Sequence, residues 1–216
     1  MERHLLTTRT ARYQQLGEPT TATRQLWLVL HGYGQLAEYF VRHFASLHAS
    51  DPAGTVIVAP EALSRFYLQH HGGRVGASWM TSADRLTEIA DQRAYLDDLL
   101  GSVLFDCPPG VRVTVVGFSQ GTATASRWLA AAAGRWRPHQ LVLWAGDFPA
   151  DALPAPTLLA GLPIALVRGD RDEFVSHEAF QHQAELLQAA GALVTTHTFE
   201  GGHTIHQPLL HQLHQQ

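Results

Sequence analysis

Short apolar runs alternate along this chain with longer segments whose apolar residues recur every three or four positions. Leu26 to Leu30, Val56 to Ala59, Val111 to Val116, Leu141 to Trp144, Ile164 to Arg168 and Leu193 to Phe199 are near-continuous in Val, Leu and Ile. Runs of that kind read as strands buried on both faces. Between them, Leu36 to His48, Asp84 to Phe105, Gln120 to Ala133 and Ser176 to Ala190 carry helical spacing. In Asp84 to Phe105 the repeat is Leu86, Ile89, Leu96, Leu99 and Val103, and Thr81-x-x-Asp84 before it reads as a capping box. Gly134 and Gly191 stand where two of these helices should stop. Pro208 fits only the first turn of a short closing helix that carries Leu209, Leu210 and Leu213.

Strand and helix in alternation predict an α/β fold: a mostly parallel central sheet with helices on both faces. The weakly alternating stretch Leu5 to Leu16 is expected to add an antiparallel edge strand, joined through Gly17-Glu18-Pro19. No repeat and no compositional break divides the chain, so residues 1–216 are expected to form a single domain. Residues 61–82 break the alternation. They show little regular pattern, carry Gly72, Gly73 and Gly76, and include Phe66, Tyr67 and Trp79. An irregular insertion of this length in a compact domain is functional or disordered, and its aromatic content argues for order. Because ligands bind at the carboxyl ends of parallel strands, the insertion is expected to wall a binding pocket.

A hydrophobic content of 45% over 216 residues allows a full core without staples. A net charge of −4 and the lack of a basic run exclude nucleic acid as an expected partner. One cysteine, Cys107, excludes an internal disulfide framework. No segment combines a basic start, an apolar core and a cleavage site, and no apolar run reaches about 18 residues. The expectation is a cytoplasmic protein with no stable membrane association. The 14 histidines include the pair His70-His71 and, near the C-terminus, His206, His211 and His214. His211 and His214 can share a helix face, but no third ligand is evident, and no metal site is expected.

Chemistry is concentrated in Gly117-Phe118-Ser119-Gln120-Gly121, which lies between an expected buried strand and an expected helix. That is the context of a G-x-S-x-G nucleophile elbow, with Ser119 as nucleophile. A serine needs a base, and the base needs an orienting acid, in the chain order Ser, Asp/Glu, His. The base candidate is His203, on the glycine-flanked loop after the last strand. Asp170, Asp172 and Glu173 compete as the acid in the loop after Ile164 to Arg168, together with Asp147 after the preceding strand. Asp170 also reads as a turn residue that bonds its own loop. Spacing does not choose among the four. An oxyanion hole needs two backbone N–H groups. Gln120, directly after the nucleophile, supplies one. The loop His31-Gly32-Tyr33-Gly34 supplies the other, from Tyr33 or its rival Gly34.

These residues resemble the carboxylesterase/phospholipase family of α/β-hydrolases, which includes acyl-protein thioesterases and small bacterial carboxylesterases. Leu30-His31-Gly32-Tyr33-Gly34 resembles its oxyanion loop, Gly117 to Gly121 its nucleophile motif, and Gly202-His203 its histidine motif. Gly169-Asp170-Arg171-Asp172 with Val175 resembles its acid motif, which implies Asp172 as the acid. Ser78-Trp79 resembles a segment that lines the family's acyl pocket, which implies Trp79 as a pocket residue. The chain departs from the thioesterases at Gln35, where they carry an aspartate, and at Trp79-Met80-Thr81. The resemblance implies an α/β-hydrolase fold, no cofactor, and a monomer or homodimer. It also implies a serine carboxylesterase acting on small-molecule esters with small or medium acyl groups. Tyr33, Phe118, Phe148 and Phe174 join Trp79 as candidate pocket walls. The alternatives are an acyl-protein thioesterase or lysophospholipase and, in another class, a non-catalytic binding protein of the same fold.

Overall fold

The computed structural model describes residues 1, 3–69, 72–132, 135–153 and 155–215. His70-His71 and the helix stop at Ala133-Gly134 lie outside the described residues. The chain runs β1 (Tyr13–Leu16), β2 (Gln25–Leu30), α1 (Ala37–Phe40), α2 (Ala45–Ser50), β3 (Thr55–Pro60), β4 (Ser64–Tyr67), β5 (Val75–Ser78) and α3 (Arg85–Phe105). It continues through β6 (Arg112–Phe118), α4 (Gln120–Ala132), β7 (Gln140–Trp144), α5 (Pro156–Leu159), β8 (Pro163–Gly169), α6 (His177–Ala189), β9 (Leu193–Phe199) and α7 (Gln207–His214). Seven strands form one sheet in the order β1-β3-β2-β6-β7-β8-β9, parallel except for β1, which pairs antiparallel with β3.

Strand periodicity divides the core in two. Leu26, Leu28 and Leu30 point with Val113 and Val115 toward α3, α4 and α6. Trp27 and Val29 point with Val142 and Trp144 toward α1, α2 and α7. Both sets are essentially water-free, which is why the strands read as unbroken apolar runs. Fully burying a side chain such as Leu28 contributes about 1.5–3 kcal/mol. Among the described residues no helix is long and apolar enough to cross a membrane.

Several local expectations change. The edge strand occupies only Tyr13–Leu16. Leu36 to His48 is not one helix, because a 3₁₀ turn at Val41–Phe44 separates α1 from α2. The capping box before α3 does not form: Asp84 is left-handed (φ +49°) and its side chain caps nothing. Instead Glu88 reaches back and accepts from the Thr81 hydroxyl at 3.3 Å. By contrast, Ser176 caps α6 through Ala179 N–H, and Gly191 follows that helix at φ +96°. Residues 61–82 are not an irregular loop, since β4 and β5 pair as an antiparallel hairpin. Its polar outer face hid the strand pattern.

The sheet's strand order reverses between β2 and β6, the place where open α/β sheets bind ligands. His31 follows β2 there and is fully enclosed. Its Nε2 accepts from Ala62 N–H at 3.1 Å, so Nδ1 carries the proton and donates to the Gly32 carbonyl at 2.8 Å. Burial outweighs the Gly32 carbonyl and the Glu61 charge and pulls the His31 pKa down to about 4. The folded state thus keeps this ring neutral where the unfolded chain, titrating near 6.5, already binds a proton. Stability contributed by the neutral ring is complete above pH 6.5 and falls as pH drops toward 4, by roughly 3 kcal/mol in all. Denaturant unfolding of the wild type and His31→Asn across that range checks this. The stability difference between them should shrink as pH falls, and parallel curves would refute it.

Candidate active site

Ser119 sits between the end of β6 and the start of α4 with φ +52°, a conformation that side chains rarely adopt. The surroundings enforce it. A Cβ on Gly121 would lie 2.3 Å from the Leu30 carbonyl oxygen, and one on Gly117 would lie 2.5 Å from Thr122 Cα. Ser119 N–H donates to Trp144 O at 2.9 Å, and its carbonyl accepts from Thr122 N–H at 3.0 Å. With the backbone bonded on both sides, only the hydroxyl is left over. It has no hydrogen-bond partner among the described residues.

His203 donates or accepts through Nδ1 at 3.0 Å from Asp172 Oδ2, and Asp172 is fully enclosed as a side chain. Asp172 Oδ1 accepts from the N–H groups of Phe174 (2.9 Å) and Val175 (3.1 Å). A carboxylate oxygen only accepts, so in the pair with Asp172 the imidazole proton is on Nδ1. The imidazole packs on Phe118, the residue before Ser119, with ring centroids 4.9 Å apart. Its Nε2 has no partner among the described residues.

The other acid candidates go elsewhere. Glu173 is exposed. Asp147 Oδ1 lies 3.2 Å from the Gln183 amide nitrogen, once that amide is oriented to satisfy both of its ends. Asp170 reaches beyond its own turn. Its Oδ1 accepts from Gly201 N–H at 2.8 Å, and this bond holds its pKa below the ordinary carboxylate range. Arg171 N–H adds a bond to Gly201 O at 2.9 Å. The acid loop and the histidine loop are therefore clamped together. A Gly-Asp pair beside Gly-Gly-His was the available signal, but which partner Asp170 takes depends on strand pairing.

The N–H groups of Tyr33 and Gln120 have no acceptor among the described residues. Gln120 opens α4, where the first N–H groups lack helical partners. Gly34 is excluded as the rival donor, because its N–H is spent on Ala77 O at 2.8 Å. Gly32 N–H is taken by Gln35 Oε1 at 2.8 Å. The Gly32 peptide is trans, so the His31 bond to its carbonyl also fixes the direction of the Tyr33 N–H.

The candidate pocket walls separate. Trp79 is 0% exposed, and its Nε1–H donates to His31 O at 2.8 Å. It supports the loop from behind and, with Met80, Gln92 and Arg127, lines a small cavity. Phe118 and Phe148 are likewise core residues. Tyr33 and Phe174 are 60% and 76% exposed and form the rim. Tyr33 stacks on Phe66 of the hairpin, centroids 5.2 Å apart, and Phe174 meets the edge of His203 at 4.7 Å. Among the described residues no three His, Cys, Asp or Glu side chains gather to hold a metal ion.

The family model described as phospholipase/carboxylesterase matches residues 11–215. No curated protein sequence matches the chain. Among solved structures, esterase PE8 is 24% identical with a TM-score of 0.73, covering 96% of this chain and 97% of that one. A carboxylesterase from Mesorhizobium loti is 22% identical (TM-score 0.72), covering 98% and 96%. Zea mays acyl-protein thioesterase 2 is 19% identical (TM-score 0.68), covering 95% and 97%. At these identities the structures speak for a shared fold, and the match along nearly the whole chain speaks for the family. The chain belongs to the phospholipase/carboxylesterase family and is a serine hydrolase of the α/β-hydrolase fold.

Proposed function

We propose that the chain is a carboxylesterase that works through an acyl-enzyme on Ser119. The observation that carries the reading is the His203–Asp172 pair, fixed by backbone N–H groups and packed on Phe118, the residue before a strained serine. Ser119 Oγ attacks the ester carbonyl carbon while His203 Nε2 takes its proton. Asp172 holds the imidazole with its proton on Nδ1 and stabilises the imidazolium. The N–H groups of Tyr33 and Gln120 receive the negative charge on the carbonyl oxygen. The tetrahedral intermediate collapses, the C–O bond to the alcohol breaks, and His203 returns its proton to the leaving oxygen. Water then adds to the acyl carbon, with His203 again as base, and the acid leaves.

An uncharged ester of small or medium acyl length suits the rim, whose aromatic faces Tyr33, Phe66 and Phe174 bear no charge. A second reading has an observation of its own. Leu68, two residues beyond Phe66 and close against Gly34, extends the exposed apolar surface from that rim at 39% exposure. Such a surface suits a long acyl chain, as in an acyl thioester or a lysophospholipid.

Ser119→Ala should lower kcat/KM on an activated ester by about four to six orders of magnitude with the fold retained by circular dichroism. Near-wild-type turnover in that variant would sink the mechanism. Asp172→Asn should cost about 10⁴-fold in kcat, because an amide supports the wrong imidazole tautomer. Asp170→Asn, which weakens only the clamp between the loops, should cost far less. Equal losses in the two variants would reassign the acid. A panel of esters and thioesters graded by acyl length decides between the two substrate readings. Highest kcat/KM on short esters supports the carboxylesterase, and a rise with chain length on thioesters replaces it.

A further inference from the structure

The two N–H groups assigned to the oxyanion belong to different strand ends, Tyr33 after β2 and Gln120 after β6. Each must come within roughly 2.7–3.1 Å of one oxygen atom for both to act. The last residues of the hairpin, 76–80, lie between them and bond to both sides. Toward the Tyr33 loop, Gly34 N–H donates to Ala77 O (2.8 Å) and Ala77 N–H donates to Gln35 O (3.1 Å). The approach is so close that a Cβ on Gly76 would lie 2.5 Å from the Gly34 carbonyl oxygen. Trp79 Nε1–H adds the bond to His31 O already described.

Toward the elbow, the bonds among the described residues are made by one side chain. Gln120 Oε1 accepts from Trp79 N–H at 3.0 Å. Gln120 Nε2 donates to Met80 O at 2.9 Å and to Ser78 Oγ at 3.1 Å. The Ser78 hydroxyl passes its own proton to Met80 O at 2.9 Å. Ser78 and Trp79 are buried while Gln120 and Met80 are half-buried, so water has restricted access to these bonds. Helix formation demands nothing of this kind at the first position of α4. An apolar side chain would serve there if filling space were the only requirement.

We propose that the Gln120 side chain is a positioning residue for acyl transfer. Through residues 76–80 it holds the Tyr33 loop at a fixed distance from Gln120's own backbone N–H. One residue thus supplies a donor with its main chain and sets the place of the second donor with its side chain. The inference rests on the reading of Ser119 as nucleophile and of these two N–H groups as the oxyanion donors.

The test is Gln120→Met, which keeps the backbone N–H and most of the volume but none of the side-chain bonds. Loss of a whole oxyanion donor costs about 10²–10³ in kcat, so a misplaced one should cost roughly tenfold to a hundredfold. KM for an activated ester should stay within about twofold, since ground-state binding is not what changes. Affinity for an alkyl boronic acid, which adds to the serine and mimics the tetrahedral state, should fall by the same factor as kcat. Ser78→Ala should move both quantities the same way by about threefold to tenfold, and it carries the test alone if Gln120→Met does not fold. Thermal melting well above the assay temperature separates positioning from loss of fold. Unchanged kcat and boronate affinity would overturn the proposal. So would a rise in KM alone, or a fall in kcat with boronate affinity intact. Ser119→Ala run alongside distinguishes the failures: retained hydrolysis in that variant removes the underlying reading, whatever Gln120→Met does.

Discussion

The structure turns on the contact between β2 and the elbow that follows β6. Gly121 passes so near the Leu30 carbonyl oxygen that no side chain fits between them. Gly146 lies similarly close to the Ser119 carbonyl oxygen, at 2.5 Å for an added Cβ. With glycine on three sides, β6 can turn directly into α4 and leave one residue, Ser119, in a left-handed conformation. An isolated chain would relax that strain, worth about 1–3 kcal/mol. Here the Trp144 and Thr122 bonds to the Ser119 backbone over-determine it. The same closeness brings the His31–Gln35 loop alongside the nucleophile. A Cβ on Gly32 would lie 3.2 Å from Ser119 Cβ.

The surroundings of that contact are arranged by polar groups, some buried and some half-exposed. His31 is neutral because it is buried, and only a neutral ring can both accept from Ala62 and donate to Gly32. Gln35 removes the Gly32 N–H, and Ala77 removes the Gly34 N–H. What remains is the Tyr33 N–H between two occupied neighbours. On the other side of the serine, the Asp170–Gly201 bond sets the histidine loop against the acid loop before Asp172 and His203 meet. The proposed chemistry therefore depends on residues that never touch substrate.

The sheet was legible because both of its faces are covered. Buried parallel strands leave unbroken runs such as Val111 to Val116, and helical spacing fills the gaps between them. The family motifs were legible for a related reason. Close backbone approach leaves glycines, and glycines at fixed spacing survive as a pattern at Gly117 and Gly121. The hairpin was not legible, because β4 alternates half-buried with exposed positions and contributes Ser64 and Arg65 to it. The 3₁₀ break at Val41–Phe44 was hidden too, since Phe40, Val41, Phe44 and Leu47 keep the spacing of a single helix face. The orientation of Trp79 was not legible, for a different reason. An aromatic residue on an expected pocket loop gives no sign of which way its ring turns, and here the indole N–H finds a buried carbonyl. Partner choice of this kind is a tertiary property, as it is for Asp170 and for the amide of Gln120.

A division of labour follows from burial. The groups assigned to bond making and breaking stand at strand ends, and their supports are hydrogen-bonded, with His31 and Trp79 fully enclosed. The rim aromatics Tyr33 and Phe174 are largely exposed, held by ring contacts to Phe66 and His203. Ring contacts tolerate exchange among apolar side chains far better than buried hydrogen bonds tolerate loss of a partner. Under the proposed function, changes at the rim are therefore expected to alter which acyl or alcohol group is accepted without disturbing the elbow. The hairpin is the exception, because Phe66 in β4 meets the rim while residues 76–80 bond to both sides of the proposed oxyanion site. A change of the Phe66 ring can alter substrate choice alone. A shift in residues 76–80 cannot, since those residues touch the His31–Gln35 loop and Gln120 at once.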